Sequence, residues 1–318
     1  MRGRHVRHAR MGLALALFTT LALVQGAAAG GPGNRIAFTR LSDAGAQVVT
    51  ANPDGSGERL VPLQDPVEDF GVPIWSRDHS RLLISHTIRF DGNGELLPFR
   101  PAIVRPDGSD YRLLQMPDAP FDTDCTSWSQ NGARLYCAYG GDHPGLFSVR
   151  TSDGGDARRL TTNPYGTMDL AVDVSPDGSQ ILMLREQPGP PPDPQENETF
   201  ALYVVNTDGS HFRLLVPYGI TQGDEIGSAH WSPDGRSIIA SSIDGRLFTV
   251  DPSGRCLQYL KLGIDGFAFM PNWSPDGSRI VFGLFGPDKE DLYTADANGR
   301  HVRQMTDTDA FEHGPDWR

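Results

Sequence analysis

Carboxylates are the residues of this chain best placed to do chemistry, and they recur along six segments that contain no Lys or Arg. These segments are 61–73, 115–126, 161–172, 216–229, 262–271 and 306–315. Carboxylates gathered at a concave site attract cations or basic polypeptide segments, and Ca²⁺ prefers oxygen ligands. From these segments and the residues just after them we select candidate binding residues: Asp122, Asp124, Asp169, Asp173, Asp224, Glu225, His230, Asp265, Asp309 and Glu312.

Three interpretations of these acidic residues remain open. They could bind a basic protein or peptide, or hold a metal ion such as Ca²⁺, because clustered negative charge attracts both. They could also serve the fold alone, since Asp is common in turns, where its side chain accepts hydrogen bonds from the backbone. We expect no other cofactor, because the sequence contains no His-Glu-x-x-His, Cys-x-x-Cys or EF-hand pattern.

The elements that must position these residues are defined by an internal repeat. Trp-Ser-Pro-Asp-Gly followed by a short apolar run is clearest at 230–242 and 272–284, and weaker copies occur at 74–86, 127–139 and 173–185. The Pro and Gly of this pattern favour a tight turn, and the run after it is rich in residues that strands prefer. Each copy therefore predicts a β-hairpin.

A second turn motif, a glycine turn followed by basic and apolar residues, accompanies the first along the chain. Its copies are 52–60, 105–114, 151–160, 206–215, 251–260 and 296–305. The Trp-equivalent positions of the first motif are Trp75, Trp128, Val174, Trp231, Trp273 and Trp317, at intervals of 42 to 57 residues. That period is typical of a propeller blade of four short antiparallel strands. We therefore predict an all-β fold, a six-bladed β-propeller.

The motif at 273–282, Trp-Ser-Pro-Asp-Gly-Ser-Arg-Ile-Val-Phe, resembles the repeats of TolB-like β-propellers, also called PD40 or WD40-like repeats. The resemblance covers about residues 34 to 318. It implies a binding module that contacts other proteins. TolB carries a separate domain before its propeller, whereas here the first strand is expected soon after the N-terminal segment, so we interpret the resemblance as one of fold.

The ends of the chain are predicted to complete one blade together. Each repeat orders its strands as A, which ends at the Trp position, then B, C and D. Residues 34–40 match a strand B and residues 314–318 match a strand A, so their pairing would close the ring without a free sheet edge. The six acidic segments are then the D–A loops at one mouth of the channel, where they would form an electronegative funnel.

The N-terminus has the three parts of a secretory signal peptide. The first ten residues contain four arginines and no acid, residues 11–24 are apolar, and Ala27-Ala28-Ala29 fits a cleavage site. We predict a signal peptide at 1–29 and one propeller domain at 30–318, in the periplasm or outside the cell. The alternative is an uncleaved N-terminal membrane anchor. No second apolar stretch has membrane length, so the mature chain is expected to be soluble.

Two of the three cysteines are predicted to meet in one hairpin. Cys125 and Cys137 lie six residues on either side of Asn131, in the turn of their repeat, and should face each other across two strands. They form either a disulfide, which an oxidising compartment permits, or two buried free thiols. Cys256 has no obvious partner.

The function that we predict is a non-catalytic, monomeric module of the cell envelope that binds a protein, peptide or other ligand. Its partner would be an envelope or extracellular protein or peptide of basic character, whereas the net charge of −12 disfavours nucleic acid. The alternative is a metal-dependent propeller enzyme, a lyase, lactonase or hydrolase acting on a carbohydrate or small ligand. Its candidate residues at the channel mouth would be Asp173, Asp224, Glu225 and His230.

Overall fold

The apolar runs between the turns form β-strands in the computed structural model. It describes residues 34–318 apart from 44, 66–70, 88–99, 117–122, 140–143, 165–167, 188–198, 218–225 and 287–288. The predicted signal peptide lies outside the described residues. Within them, no helix combines the length and the apolar character that crossing a membrane requires.

The strands form six sheets of four antiparallel strands each, one sheet per blade. Blade I contains β4 (Pro73–Trp75), β5 (Leu82–Thr87), β6 (Arg100–Val104) and β7 (Arg112–Leu113). Blade II contains β8 (Thr123–Trp128), β9 (Arg134–Tyr139), β10 (Gly145–Arg150) and β11 (Arg158–Arg159). Blade III contains β12 (Asp169–Val174), β13 (Gln180–Gln187), β14 (Thr199–Asn206) and β15 (Arg213–Val216).

The remaining strands complete the ring. Blade IV contains β16 (Ile226–Trp231), β17 (Ile238–Ser242), β18 (Leu247–Val250) and β19 (Gln258–Tyr259). Blade V contains β20 (Phe267–Trp273), β21 (Arg279–Phe285), β22 (Glu290–Asp296) and β23 (Arg303–Gln304). Blade VI combines β24 (Phe311–Trp317) with β1 (Ile36–Ser42), β2 (Gly45–Ala51) and β3 (Arg59–Leu60). The predicted six-bladed β-propeller is thereby confirmed.

Blade VI closes the ring as the repeat predicted. Strand β24 pairs antiparallel with β1, with Trp317 opposite Ile36 and Phe311 opposite Leu41. The amide of Arg35 also donates a hydrogen bond of 2.9 Å to the carbonyl of Arg318. The innermost strand of this blade therefore comes from one end of the chain and the other three from the opposite end.

The recurrence of Ser, Asp and Gly in the A–B turns has a local explanation. In blade IV the Asp234 carboxylate accepts hydrogen bonds from the Ser232 hydroxyl at 2.6 Å and the Arg236 amide at 3.0 Å. Gly235 adopts φ +69°, which a side chain would resist. The hydrogen bond from Ser232 holds the pKa of Asp234 below its usual value. The acid of this motif thus serves the turn.

The Trp positions lie between neighbouring blades. Each of the six interfaces contains a hydrophobic cluster that joins one blade to the Trp-equivalent residue of the next. The Trp273 indole in blade V donates a hydrogen bond of 3.2 Å to the carbonyl of His230 in blade IV, and Trp128 bonds Ile74 in the same way at 3.3 Å. In these two blades the indole therefore combines a large buried apolar area with a polar contact to the preceding blade.

The two cysteines of blade II lie opposite each other on β8 and β9, and their sulfur atoms form a disulfide. Cys256 is a free, exposed thiol.

Candidate functional site

The six A strands, β4, β8, β12, β16, β20 and β24, surround a central channel that holds a cavity of about 210 Å³. We call the end where the A strands finish, beside the A–B turns, the turn end. We call the opposite end, where the D–A loops enter, the loop end. The walls include Val72, Ile74, Leu170, Val172 and Leu184, so much of the lining is apolar.

Two aspartates at the turn end connect neighbouring blades. Asp173 of blade III accepts hydrogen bonds from its neighbouring amide and, at 2.9 Å, from the amide of Trp231 in blade IV. Asp316 of blade VI accepts from the amide of Trp75 in blade I at 2.6 Å and from the Asn272 side chain at 2.7 Å. All four carboxylate oxygens therefore have a donor within the fold.

His230 also lines the turn end, 3.8 Å from Asp173 through its Nδ1 atom. That distance is too long for a hydrogen bond. Burial lowers the pKa of His230, although the nearby Asp173 charge opposes the shift, so the ring is neutral at physiological pH. The pair therefore lacks the His–Asp hydrogen bond that orients a catalytic imidazole.

Asp169 and Glu312 lie inside blades, where each carboxylate has an arginine partner. Asp169 binds Arg185 through two contacts of 2.8 and 2.7 Å, and Glu312 binds Arg40 at 2.8 Å. Both carboxylates are fully buried. Each arginine stands directly opposite its acid on strand B. The sequence signal for each pair is an arginine at the strand B position that faces the acid.

The remaining predicted binding residues have different surroundings. Asp124 lines the cavity near the loop end, and Asp265 and Asp309 are exposed in their D–A loops. Asp122, Asp224 and Glu225 lie outside the described residues. The electronegative funnel and its calcium ion thus stay predictions. In the described part of the chain, no three His, Cys, Asp or Glu side chains are grouped so that they could hold a metal ion.

Glu290, which the sequence analysis did not single out, faces Glu312 between blades V and VI. The Oε1 atom of Glu290 and the Oε2 atom of Glu312 are buried and have no hydrogen-bond partner among the described residues. Burial, and then the charge of Glu312, raises the pKa of Glu290 to about 8. Glu290 is therefore protonated at neutral pH in the folded protein.

Glu290→Gln is expected to stabilise the protein as the pH rises. Below about pH 4 to 5 the carboxyl is neutral in both folded and unfolded chains, so the two proteins should differ little. Between there and about pH 8 only the unfolded wild type releases this proton, so its free energy of unfolding falls relative to the variant. We expect a gap of roughly 1 to 3 kcal/mol at pH 8, measured by urea unfolding. Asp265→Asn, which removes an exposed acid, should show no such gap; equal pH profiles for wild type and Glu290→Gln would contradict the assignment.

Three exposed phenylalanines form a surface at the loop end, which we call the aromatic patch: Phe267, Phe285 and Phe311. Their exposed fractions are 39%, 46% and 39%. Phe267 lies opposite Phe285 on β20 and β21, and the Phe285 and Phe311 rings stack with centroids 6.3 Å apart. The patch therefore spans blades V and VI. Phe285 and Phe311 belong to different repeats, so no local pattern in the sequence relates them.

The fold and the channel define the class of this protein, a six-bladed β-propeller with a ring closed by its two terminal segments. No protein-family model matches the chain. It is similar to the Tol-Pal system protein TolB of Anaeromyxobacter dehalogenans (strain 2CP-C), with 32% identity over 122 residues, which are 37% of this chain and 27% of the relative. The match spans about a quarter of that relative's length.

Two solved structures that are described as TolB have a similar fold. TolB from Acinetobacter baumannii matches with a TM-score of 0.67 and 15% identity, over 89% of this chain and 66% of that one. A candidate TolB from Agrobacterium tumefaciens matches with a TM-score of 0.64 and 17% identity, over 90% of this chain and 99% of that one. These similarities confirm the TolB-like β-propeller that the repeat predicted.

Proposed function

We propose that this chain is an exported, non-catalytic propeller that binds a protein of the cell envelope through its loop end. The similarity to a Tol-Pal system protein supports an envelope role, although it covers only part of that relative. The N-terminal pattern of arginines, apolar run and alanines supports export to the periplasm. Among the described residues, no contact favours the enzyme alternative.

The aromatic patch is the observation that carries this proposal. Large apolar side chains are usually buried, and contiguous exposed ones mark surfaces that bind other molecules. Phe285 and Phe311 stack on each other while 46% and 39% of their surfaces stay accessible. Ile243, which is 51% exposed and follows strand B of blade IV, lies at the same end. Aromatic residues of this kind supply much of the binding energy at protein interfaces.

The charges beside the patch indicate the chemistry of the partner. Asp265 precedes Phe267 by two residues and Asp309 precedes Phe311 by two, and both acids are exposed. The D–A loops 262–271 and 306–315 contain no Lys or Arg. A partner segment that combines apolar side chains with flanking basic residues would match this surface, because complementary charge steers association and fixes orientation.

The experiment compares three forms of the mature chain as immobilised bait for envelope extract. They are the wild type, the patch variant Phe285→Ser/Phe311→Ser, and the control Arg236→Ser, whose side chain is 88% exposed beside an A–B turn at the opposite end. Each retained protein is identified, purified and titrated against all three forms.

The proposal expects a partner that binds the wild type and the control equally and the patch variant at least about 30-fold more weakly, as for the loss of interface hot spots. It also expects binding to weaken as salt rises, because the acids contribute. A partner that binds all three forms alike would place the interface elsewhere. Absence of any retained protein would contradict a protein-binding role under these conditions.

A further inference from the structure

We propose that the channel binds a carboxylate attached to an apolar body, with the carboxylate held by Arg77 and Arg318 at the turn end. Both arginines line the cavity. This site lies at the opposite end from the aromatic patch and does not rest on the proposed function.

Arg77 occupies a position where the turn does not need an arginine. It is the third residue of the Trp-Ser-Pro-Asp-Gly motif in blade I, and the other copies have Gln130, Pro176, Pro233 or Pro275 there. Those turns form without a cation, since Pro presets the backbone and the Ser and Asp side chains hold the turn. Arg77 is therefore not required for formation of its turn.

The side chain of Arg77 crosses the channel. Its Nη2 atom donates a hydrogen bond to the carbonyl of Val174 in blade III, and the same atom is 3.8 Å from Asp173 Oδ1. Arg318 extends from blade VI, which lies opposite blade III in the ring. Its Nη2 atom is 3.7 Å from the same Asp173 oxygen. Two guanidinium groups thus converge at the turn end of the cavity.

At the turn end the carboxylate acceptors all have donors, whereas a guanidinium donor lacks an acceptor. The four oxygens of Asp173 and Asp316 each accept a hydrogen bond from an amide. By contrast, Arg318 Nε is buried without a hydrogen-bond partner in the described structure, because its distance of 3.7 Å to Asp316 Oδ1 is too long for a hydrogen bond. A buried donor without an acceptor, beside a second guanidinium, favours a ligand that supplies acceptors, and a carboxylate matches the planar guanidinium fork.

The apolar walls and the volume of the rest of the cavity determine which chemical group could carry the carboxylate. Toward the loop end the walls are made by apolar side chains such as Val72, Leu170 and Leu184. The volume of about 210 Å³ exceeds that of an engineered cavity of about 150 Å³ that binds benzene. A phenyl-sized body with a short linker to the carboxylate fits both requirements. Such a group occurs in free aryl acids and at the C-terminus of a polypeptide that ends in an apolar residue.

Titration calorimetry with 3-phenylpropionate tests this site, and 3-phenylpropionamide serves as its uncharged counterpart. Four proteins are compared: wild type, Arg77→Gln, Arg318→Gln and the control Arg236→Gln. Arg77→Gln places in blade I the residue that blade II already has, Gln130, so this turn is expected to fold. Unfolding curves verify that each variant is folded before titration.

We expect the acid to bind wild type at least about tenfold more tightly than the amide, and each channel variant to lose about that factor, as for the loss of a charge-assisted hydrogen bond. The Arg236→Gln control should bind like wild type.

A peptide that ends in Phe is then titrated with a free and with an amidated C-terminus. Preference for the free form would identify polypeptide ends as a source, and failure of both peptides would leave free acids. Equal binding of acid and amide, unchanged binding by both channel variants, or no binding of the acid would overturn the proposal.

Discussion

Removal of residues 314–318 is expected to abolish cooperative folding. These residues end β24, the innermost strand of blade VI, whose backbone pairs with β1. Their loss exposes the edge of β1 at Ile36 and Ala37 and removes Trp317, which is 3% exposed in the cluster between blades V and VI. It also removes Asp316, whose carboxylate binds the amide of Trp75 in blade I. Three interactions that close the ring are thus lost together, so thermal unfolding followed by circular dichroism should show no native-like transition.

A matched substitution separates ring closure from the loss of one side chain. Trp317→Val introduces the residue that Val174 supplies at the equivalent position of blade III. It leaves β24 and Asp316 in place, so this variant should fold and unfold cooperatively, less stable than wild type by roughly 2 to 4 kcal/mol. A truncated chain with a transition near that of wild type would show that closure of the ring does not depend on residues 314–318.

Asp169→Asn is expected to destabilise the protein by about 3 to 5 kcal/mol, because it leaves the Arg185 guanidinium buried without its counter-charge. The carboxylate of Asp169 is fully buried, and Arg185 is only 6% exposed. Asp169 also accepts hydrogen bonds from Asn163 at 3.0 Å and Thr161 at 3.1 Å, which anchor the D–A loop of blade III. Urea unfolding at neutral pH measures the loss.

The double variant Asp169→Leu/Arg185→Met distinguishes an unpaired charge from a general loss of contacts. Replacing both partners by apolar residues of similar size removes the buried charge altogether, and such replacements are often close to neutral. The double variant should therefore be more stable than Asp169→Asn alone. If it is less stable, the hydrogen bonds to Asn163 and Thr161 contribute more than the ion pair does.

The acids that the sequence analysis grouped together have separate roles in the fold. Asp169 and Glu312 are neutralised inside blades, Asp173 connects blade III to blade IV, and Asp265 and Asp309 are exposed. Spacing along the chain placed them all near one channel mouth, because it reports the strand or loop but not the partner of a side chain. For Asp169 that partner is 16 residues away and for Glu312 it is 272 residues away.

The sequence by itself determined the blades, their number and the closure of the ring. Turn formation by Ser-Pro-Asp-Gly is local, since Asp234 bonds residues two positions away on either side. This local motif recurs five times and the second turn motif six times, so together they specify a repeating fold without knowledge of long-range contacts. The Trp position carries similar information, because the indole that ends five of the six innermost strands can be buried only between blades.

Only the tertiary structure decided how the channel and its rims are composed. The convergence of Arg77 and Arg318 on Asp173 joins blades I, VI and III, and the stacking of Phe285 on Phe311 joins blades V and VI. These residues belong to different repeats, so no period or local pattern relates them. Closing the ring brings their side chains together, and burial then determines which charges must be paired and which aromatic surfaces stay exposed.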